Sequence, residues 1–264
     1  MPATAAPPAT GRSLGYGWFA AIVVAYLAII QLIGRLAAAV WDAGDGITTT
    51  RDVVINMWIP LGLALAFTYA LIAYLGWWRP VFHEPHRVRR WVWAVPVILV
   101  VSIVLAIDYP ALLGKDAVYV LALLVATQIV GWGEEGMFRG VGVETLRRHG
   151  LTEGKVAFWS SVIFGAVHLS NALGTGERAI FQAAAVSFAG YFFYLTRRVS
   201  GSNWLNSVLH GLFDFAILSG AAIVASQSAY AGSAAVILAY VVIAVLVIVR
   251  RKKIELPATV HGLP

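Results

Sequence analysis

The chain has 264 residues, 60% of them apolar and only 12% charged, with a mean hydropathy of +0.79, which excludes an ordinary soluble domain. A net charge of +6 and a pI near 9.7 would suit nucleic acid, but the basic residues punctuate apolar runs instead of forming one patch, so no nucleic-acid partner is expected. The absence of cysteine removes disulfides and thiolate metal sites.

The opening MPATAAPPAT is low in complexity, and residues 1–16 are expected to form a disordered tail. Apolar runs follow at 17–40, 53–78, 91–108, 116–149, 155–173, 178–196, 203–225 and 229–249. Each approaches the roughly 20 helical residues that cross a hydrocarbon core. Continuous runs, not ten-residue alternation, favour helices over a barrel. The expected fold is an all-α integral membrane bundle of about eight transmembrane helices, a single polytopic domain over 17–249 with a cytoplasmic tail at 250–264. The first run is long, contains Gln31 and Arg35, and reads as an uncleaved helix and not a signal peptide. No internal repeat supports an inverted-repeat transporter.

Trp18, Trp41, Trp77, Trp78, Trp91, Trp159 and Trp204 fall near the ends of these runs, where indoles favour the headgroup layer. Counting Lys and Arg in alternate loops gives fifteen on one side and four (Arg35, Arg51, Lys115, Arg178) on the other. The positive-inside rule then places both termini in the cytoplasm, as an even number of crossings requires. The arginine-rich, alanine-rich composition points to a bacterial plasma membrane.

Ionisable residues inside a span cost roughly 2.5–3.5 kcal/mol each on insertion scales and usually face a cavity or partner. Three runs carry them: Glu134, Glu135 and Arg139; His168; and His210 with Asp214. Glu134 lies thirteen residues before Arg147, His168 thirteen after Lys155, and His210 twelve after Arg198. At 1.5 Å per residue all three stand roughly 18–20 Å from the cytoplasmic interface, in one layer. The run 116–149 would be about 50 Å long, so it must tilt, break or protrude. Gly131, Gly133 and Gly136 mark where it would loosen beside a wet pocket. Glu135 and Arg139, four apart, can pair. His210 and Asp214 have the same spacing, which lets the carboxylate fix the imidazole tautomer.

EEGMFR, FGAVH from Phe164 to His168, and HGLFD from His210 to Asp214 follow one another as EExxxR, FxxxH and Hxxx(N/D). In that order they resemble the motifs of the CPBP family, the CAAX protease and bacteriocin-processing (ABI) intramembrane proteins. The motif-bearing core spans about 116–220. The resemblance implies a glutamate-type intramembrane endopeptidase in which Glu134 and His168 activate water and His210 with Asp214 stabilises the oxyanion. Glu135, Arg139 and Phe164 would support the site or bind substrate. Where prenyl endopeptidases of this family have Asn, this chain has Asp214, and an ionised aspartate cannot donate a hydrogen bond. Asp214 is therefore read as the orienter of His210. The implied partner is a membrane-associated peptide or protein, prenylated CAAX proteins in one branch and bacteriocin-related peptides in another.

The chemistry is consistent with that resemblance, because amide hydrolysis needs a base for water, a donor to the oxyanion and a proton for the leaving amine. No cofactor is expected. The alternatives are a zinc-dependent hydrolase using two histidines and a carboxylate, and a non-catalytic proton-coupled transporter or immunity and scaffolding factor. His83, His86, His149 and His261 read as solvated or loop histidines, and Asn171 as a cavity-lining residue or a cap.

Overall fold

The computed structural model describes residues 12–44, 46–171, 178–221 and 231–256. The described residues contain helices and no named strand. We number them α1 (Tyr16–Val40), α2 (Thr50–Leu75), α3 (Trp78–Phe82), α4 (Arg90–Ala106), α5 (Tyr109–Leu113), α6 (Ala117–Arg148), α7 (Glu153–Val167), α8 (Arg178–Ser200), α9 (Asn203–Ala221) and α10 (Ala231–Val249). Each of the eight apolar runs is thus largely helical. Among the described residues, three helices, α1, α2 and α6, are long and apolar enough to cross a membrane, and α4 and Ile237–Val249 of α10 are shorter apolar helices. Eight crossings therefore do not follow from the length and hydropathy of the described helices.

Local chemistry sets the helix ends. Thr49 and Asp52 form a reciprocal capping box at the start of α2, and the Asp116 carboxylate accepts the Tyr119 N–H at 2.9 Å at the start of α6. Gly76 ends α2 in the left-handed region at φ 70°. α6 contains a π-wound stretch, Glu135–Gly142, at its motif. The loosening expected around the glycines is thus a change of winding, with the helix unbroken, and π turns of this kind are frequent at functional sites.

Glycine's role here is close packing. A Cβ on Gly131 would lie 2.5 Å from both Gly211 N and Ser207 O of α9, so α6 and α9 cross almost backbone to backbone. Gly165 of α7 packs the same way against Ala183 O and the Ser187 side chain of α8. These two crossings draw together the helices that carry the polar motifs.

The aromatic core contains Tyr26, Phe138, Phe164, Phe192 and Phe193. Val97, Val101, Val104 and Leu105 of α4 face outward, as a lipid-facing surface does. Six of the seven interfacial tryptophans are exposed; Trp77 is not. It is fully buried because its Nε1–H donates to the Arg12 carbonyl at 3.0 Å. That contact also shortens the tail expected over 1–16, since Arg12 N–H bonds Leu75 O at 3.0 Å and Leu14 is buried. The other end is likewise docked through residue 256, with Val88 and Glu255 bridged and Ile254 buried.

Several of the fifteen cations assigned to one side by the loop count are not free loop charges. Arg139 is buried within the bundle, and Arg147, Arg197 and Arg198 are drawn into an internal ion network. Glu84, fully buried in the α3–α4 loop, meets Arg147 Nη1 and Arg197 Nε, each at 2.9 Å. Arg147 also meets Glu153 at 2.8 Å, and Arg198 meets Glu255 at 2.8 Å. The network ties this loop to α6, α7, α8 and the C-terminal segment. Removing one partner of a buried pair leaves an uncompensated charge, so Glu84→Gln is expected to cost about 3–5 kcal/mol in unfolding experiments in detergent. A loss below about 1 kcal/mol, the range of surface pairs, contradicts this.

Acid should loosen the same joint. Burial alone would raise the Glu153 carboxyl, but hydrogen bonds and charge from Arg147, with Tyr194 and Arg198, outweigh it and hold it at about 2 against an ordinary 4.5. Glu84, buried but facing Arg197 and Arg147, is also lowered. A depressed carboxyl contributes stability above its unfolded value and loses it as pH falls towards its folded value. Thermal stability is therefore expected to fall progressively between pH 4.5 and about 2, and Glu153→Gln should flatten that slope.

Candidate active site

Glu134 closes the α-helical part of α6 and Glu135 opens its π-wound turn. The two side chains go to different places. Glu134 lines a cavity of about 600 Å³ within the bundle, while Glu135 is fully buried behind its wall. The cavity is also lined by Phe164 and His168 of the α7 end and by His210 and Asp214 of α9. Three segments separated in sequence thus bring Glu134, His168, His210, Asp214 and Phe164 to one hollow.

The two imidazoles are held differently. His168 Nδ1–H donates to the Phe164 carbonyl at 2.7 Å, which leaves Nε2 as the acceptor. His210 Nδ1–H donates to Glu135 Oε1 at 2.8 Å. Its Nε2 stands 3.5 Å from Asp214 Oδ2 and 3.7 Å from Glu134 Oε2, both beyond normal N–H···O length. The hydrogen bond of normal length on this ring is thus made to Glu135 and not to Asp214. An i,i+4 carboxylate can reach only the Nε2 side of this ring, because the Nδ1 side faces the π-wound turn of α6.

Glu135 is the hub behind the wall. Oε1 pairs with Arg139 Nη1 at 3.0 Å, and both residues have no exposed side-chain surface. Asn206 Nδ2–H donates to Oε2, and Asn203 Nδ2–H donates to the Glu135 main-chain carbonyl at 2.9 Å. Arg139 lays its guanidinium over the Phe164 ring, 3.8 Å from the centroid. Phe164 in turn meets His168 and His210 edge-on at 5.0 and 5.8 Å. Phe193 stacks on His210 at 4.3 Å. The His210 imidazole thus has two rings against it, and that of His168 has one.

Asn203, Asn206 and Phe193 were not among the residues anticipated from the motifs. For the asparagines a signal existed: Asn203, Asn206, Ser207, His210 and Asp214 recur at three- and four-residue intervals, one face of α9. Tyr26 and Gln31 reach the cavity from α1. Asn171 lines the cavity, His149 bonds its own helix and stacks on Tyr16, and His261 lies outside the described residues. Among the described residues no three His, Asp or Glu side chains are grouped to hold one metal ion.

Residues 116–216 match the family model described as type II CAAX prenyl endopeptidase Rce1-like. Over that stretch, which runs from the cap of α6 through most of α9, the chain is similar to that family, and every motif residue lies inside the matched segment. No curated protein and no solved structure gives a match to the chain. The match and the three apolar helices of crossing length among the described residues suit an integral membrane protein.

Proposed function

We propose that this protein is a glutamate-type intramembrane endopeptidase that hydrolyses a peptide bond in a membrane-associated peptide or protein. In this reading all eight long helices cross or line the bilayer and both termini are cytoplasmic. The observation that carries it is the convergence of Glu134, His168 and His210 on one cavity. Glu134 Oε2 has no hydrogen-bond partner among the described residues, which suits a base that takes a proton from water. The acceptor Nε2 of His168 orients that water or relays its proton. His210, locked through Nδ1, presents Nε2 as donor to the oxyanion formed when water adds to the carbonyl. The proton collected by Glu134 then goes to the leaving amine. With Nδ1–H already donating to Glu135, a donor at Nε2 means a doubly protonated ring, and Asp214 lies 3.5 Å from that same Nε2.

The test is cleavage by purified protein in detergent of an internally quenched prenylated CAAX peptide and its unprenylated counterpart, with products identified by mass spectrometry. Wild-type protein should cut at one peptide bond, and His168→Ala should reduce kcat by about 10²–10⁴-fold. Wild-type protein that cuts neither peptide, combined with a proton-coupled flux lost on Glu134→Ala, would reverse the assignment in favour of a transporter.

A further inference from the structure

The reacting groups occupy one part of the cavity wall; another part carries side chains that the hydrolytic chemistry does not use. Gln31, in the π-wound turn Ile29–Ile33 of α1, donates from Nε2 to Ser170 Oγ at 3.3 Å and to Asn171 Oδ1 at 3.4 Å. Asn171 Nδ2–H donates to Gln182 Oε1 of α8 at 3.0 Å. All four side chains line the cavity, and all are uncharged. Gln31, Ser170 and Asn171 are half-buried, not sealed in the core. Their surroundings, Leu27, Ile30, Leu61 and Val186, are apolar.

A group of primary amides in an apolar wall is costly unless something there needs donors and acceptors together. An isoprenoid or acyl chain needs neither. An extended peptide entering a low-dielectric cavity needs both, because each of its N–H and C=O groups loses water. Amide side chains provide both kinds of group without the desolvation cost of a charge. The Gln31 bonds, at 3.3 and 3.4 Å, lie at the long end of the range and exchange readily for better ones.

Position fixes which part of the peptide is addressed. Ser170 and Asn171 follow His168 by two and three residues on the same short 3-10 helix, His168–Asn171. At about 2 Å of rise per residue they stand roughly 4–6 Å along its axis from the histidine. An extended chain advances about 3.3 Å per residue, so the amides face main chain one or two residues from the bond being cut.

Resting on the endopeptidase reading above, we propose that Gln31, Ser170 and Asn171 form a main-chain-binding subsite that holds an extended peptide segment beside the reacting groups. The subsite selects for a peptide backbone and not for a lipid tail.

The experiment uses the full-length protein in detergent, with a fluorescent prenylated CAAX peptide and the same peptide carrying single backbone N-methyl groups next to the cleaved bond. Gln31→Leu and Asn171→Leu are each expected to raise KM about tenfold, the loss of one or two hydrogen bonds, with kcat largely kept. One N-methyl group should raise KM similarly on wild-type protein and add little on Asn171→Leu. The N-methyl arm on wild-type protein does not depend on any variant folding. Cleavage with unchanged KM in both variants, or an N-methyl penalty that persists undiminished in them, overturns the subsite and leaves the endopeptidase reading standing. Fluorescence polarisation separates the converse: amide-dependent peptide binding without turnover supports the subsite and removes the endopeptidase reading. Protein that neither binds nor cuts either peptide overturns both.

Discussion

Glu134→Gln is expected to reduce kcat by at least about 10³-fold while leaving the thermal unfolding midpoint of the protein unchanged. A positioned general base contributes about 10²–10⁴-fold, and in the proposed reaction the same carboxyl also returns the proton to the leaving amine, so its loss falls in the upper part of that range. The unfolding prediction follows from geometry. Glu134 Oε2 makes no hydrogen bond among the described residues and Asp214, its neighbour across His210 Nε2, remains in place. An amide of the same shape therefore breaks little. Single-turnover kinetics beside a melting curve reads both quantities, and a kcat within tenfold of wild type would remove Glu134 from the reaction. Accumulation of uncut membrane peptides in cells carrying Glu134→Gln would then identify the natural substrate.

The second large effect separates two accounts of His210. Glu135→Gln is expected to lower kcat by about 10–100-fold, the usual consequence of losing the group that orients a functional histidine. It should also destabilise the bundle by about 3–5 kcal/mol, because Arg139, fully buried, loses its counter-ion. Asp214→Asn should retain cleavage, because Nδ1 remains held by Glu135 and the asparagine can donate to the oxyanion. If Asp214 were the orienter, the ranking would invert, with Asp214→Asn the more damaging change. Measuring kcat and the unfolding midpoint for both variants under one condition decides it. Asn206→Leu provides an independent check, since it deletes a donor to Glu135 without touching the cavity wall.

The expectations that succeeded and failed divide along a physical line. Helical periods, glycine placement and the expense of ionisable groups in apolar runs are local properties of a sequence, so the helices and the three polar motifs could be read directly. That Glu134, His168 and His210 could meet was also legible, because helical rise converts residue counts into distance along each helix, and all three line one cavity. Loop charge counting was less secure. It treats every arginine between apolar runs as solvated, whereas Arg197 and Arg198 turn inward to Glu84 and Glu255. The same limitation hid Trp77, whose burial depends on the Arg12 carbonyl, sixty-five residues away.

What the sequence alone determined, then, is an apolar helical chain with ionisable residues spaced so that they can meet, since composition and spacing are fixed before any helix meets another. Which carboxylate grips which imidazole was decided only by the tertiary structure. The π-wound turn of α6 and the close Gly131–Gly211 crossing set the rotation of α6 against α9, and rotation, unlike depth, cannot be counted along a chain. That rotation sends Glu134 into the cavity and Glu135 to His210, and it is why two adjacent, chemically identical residues have different surroundings.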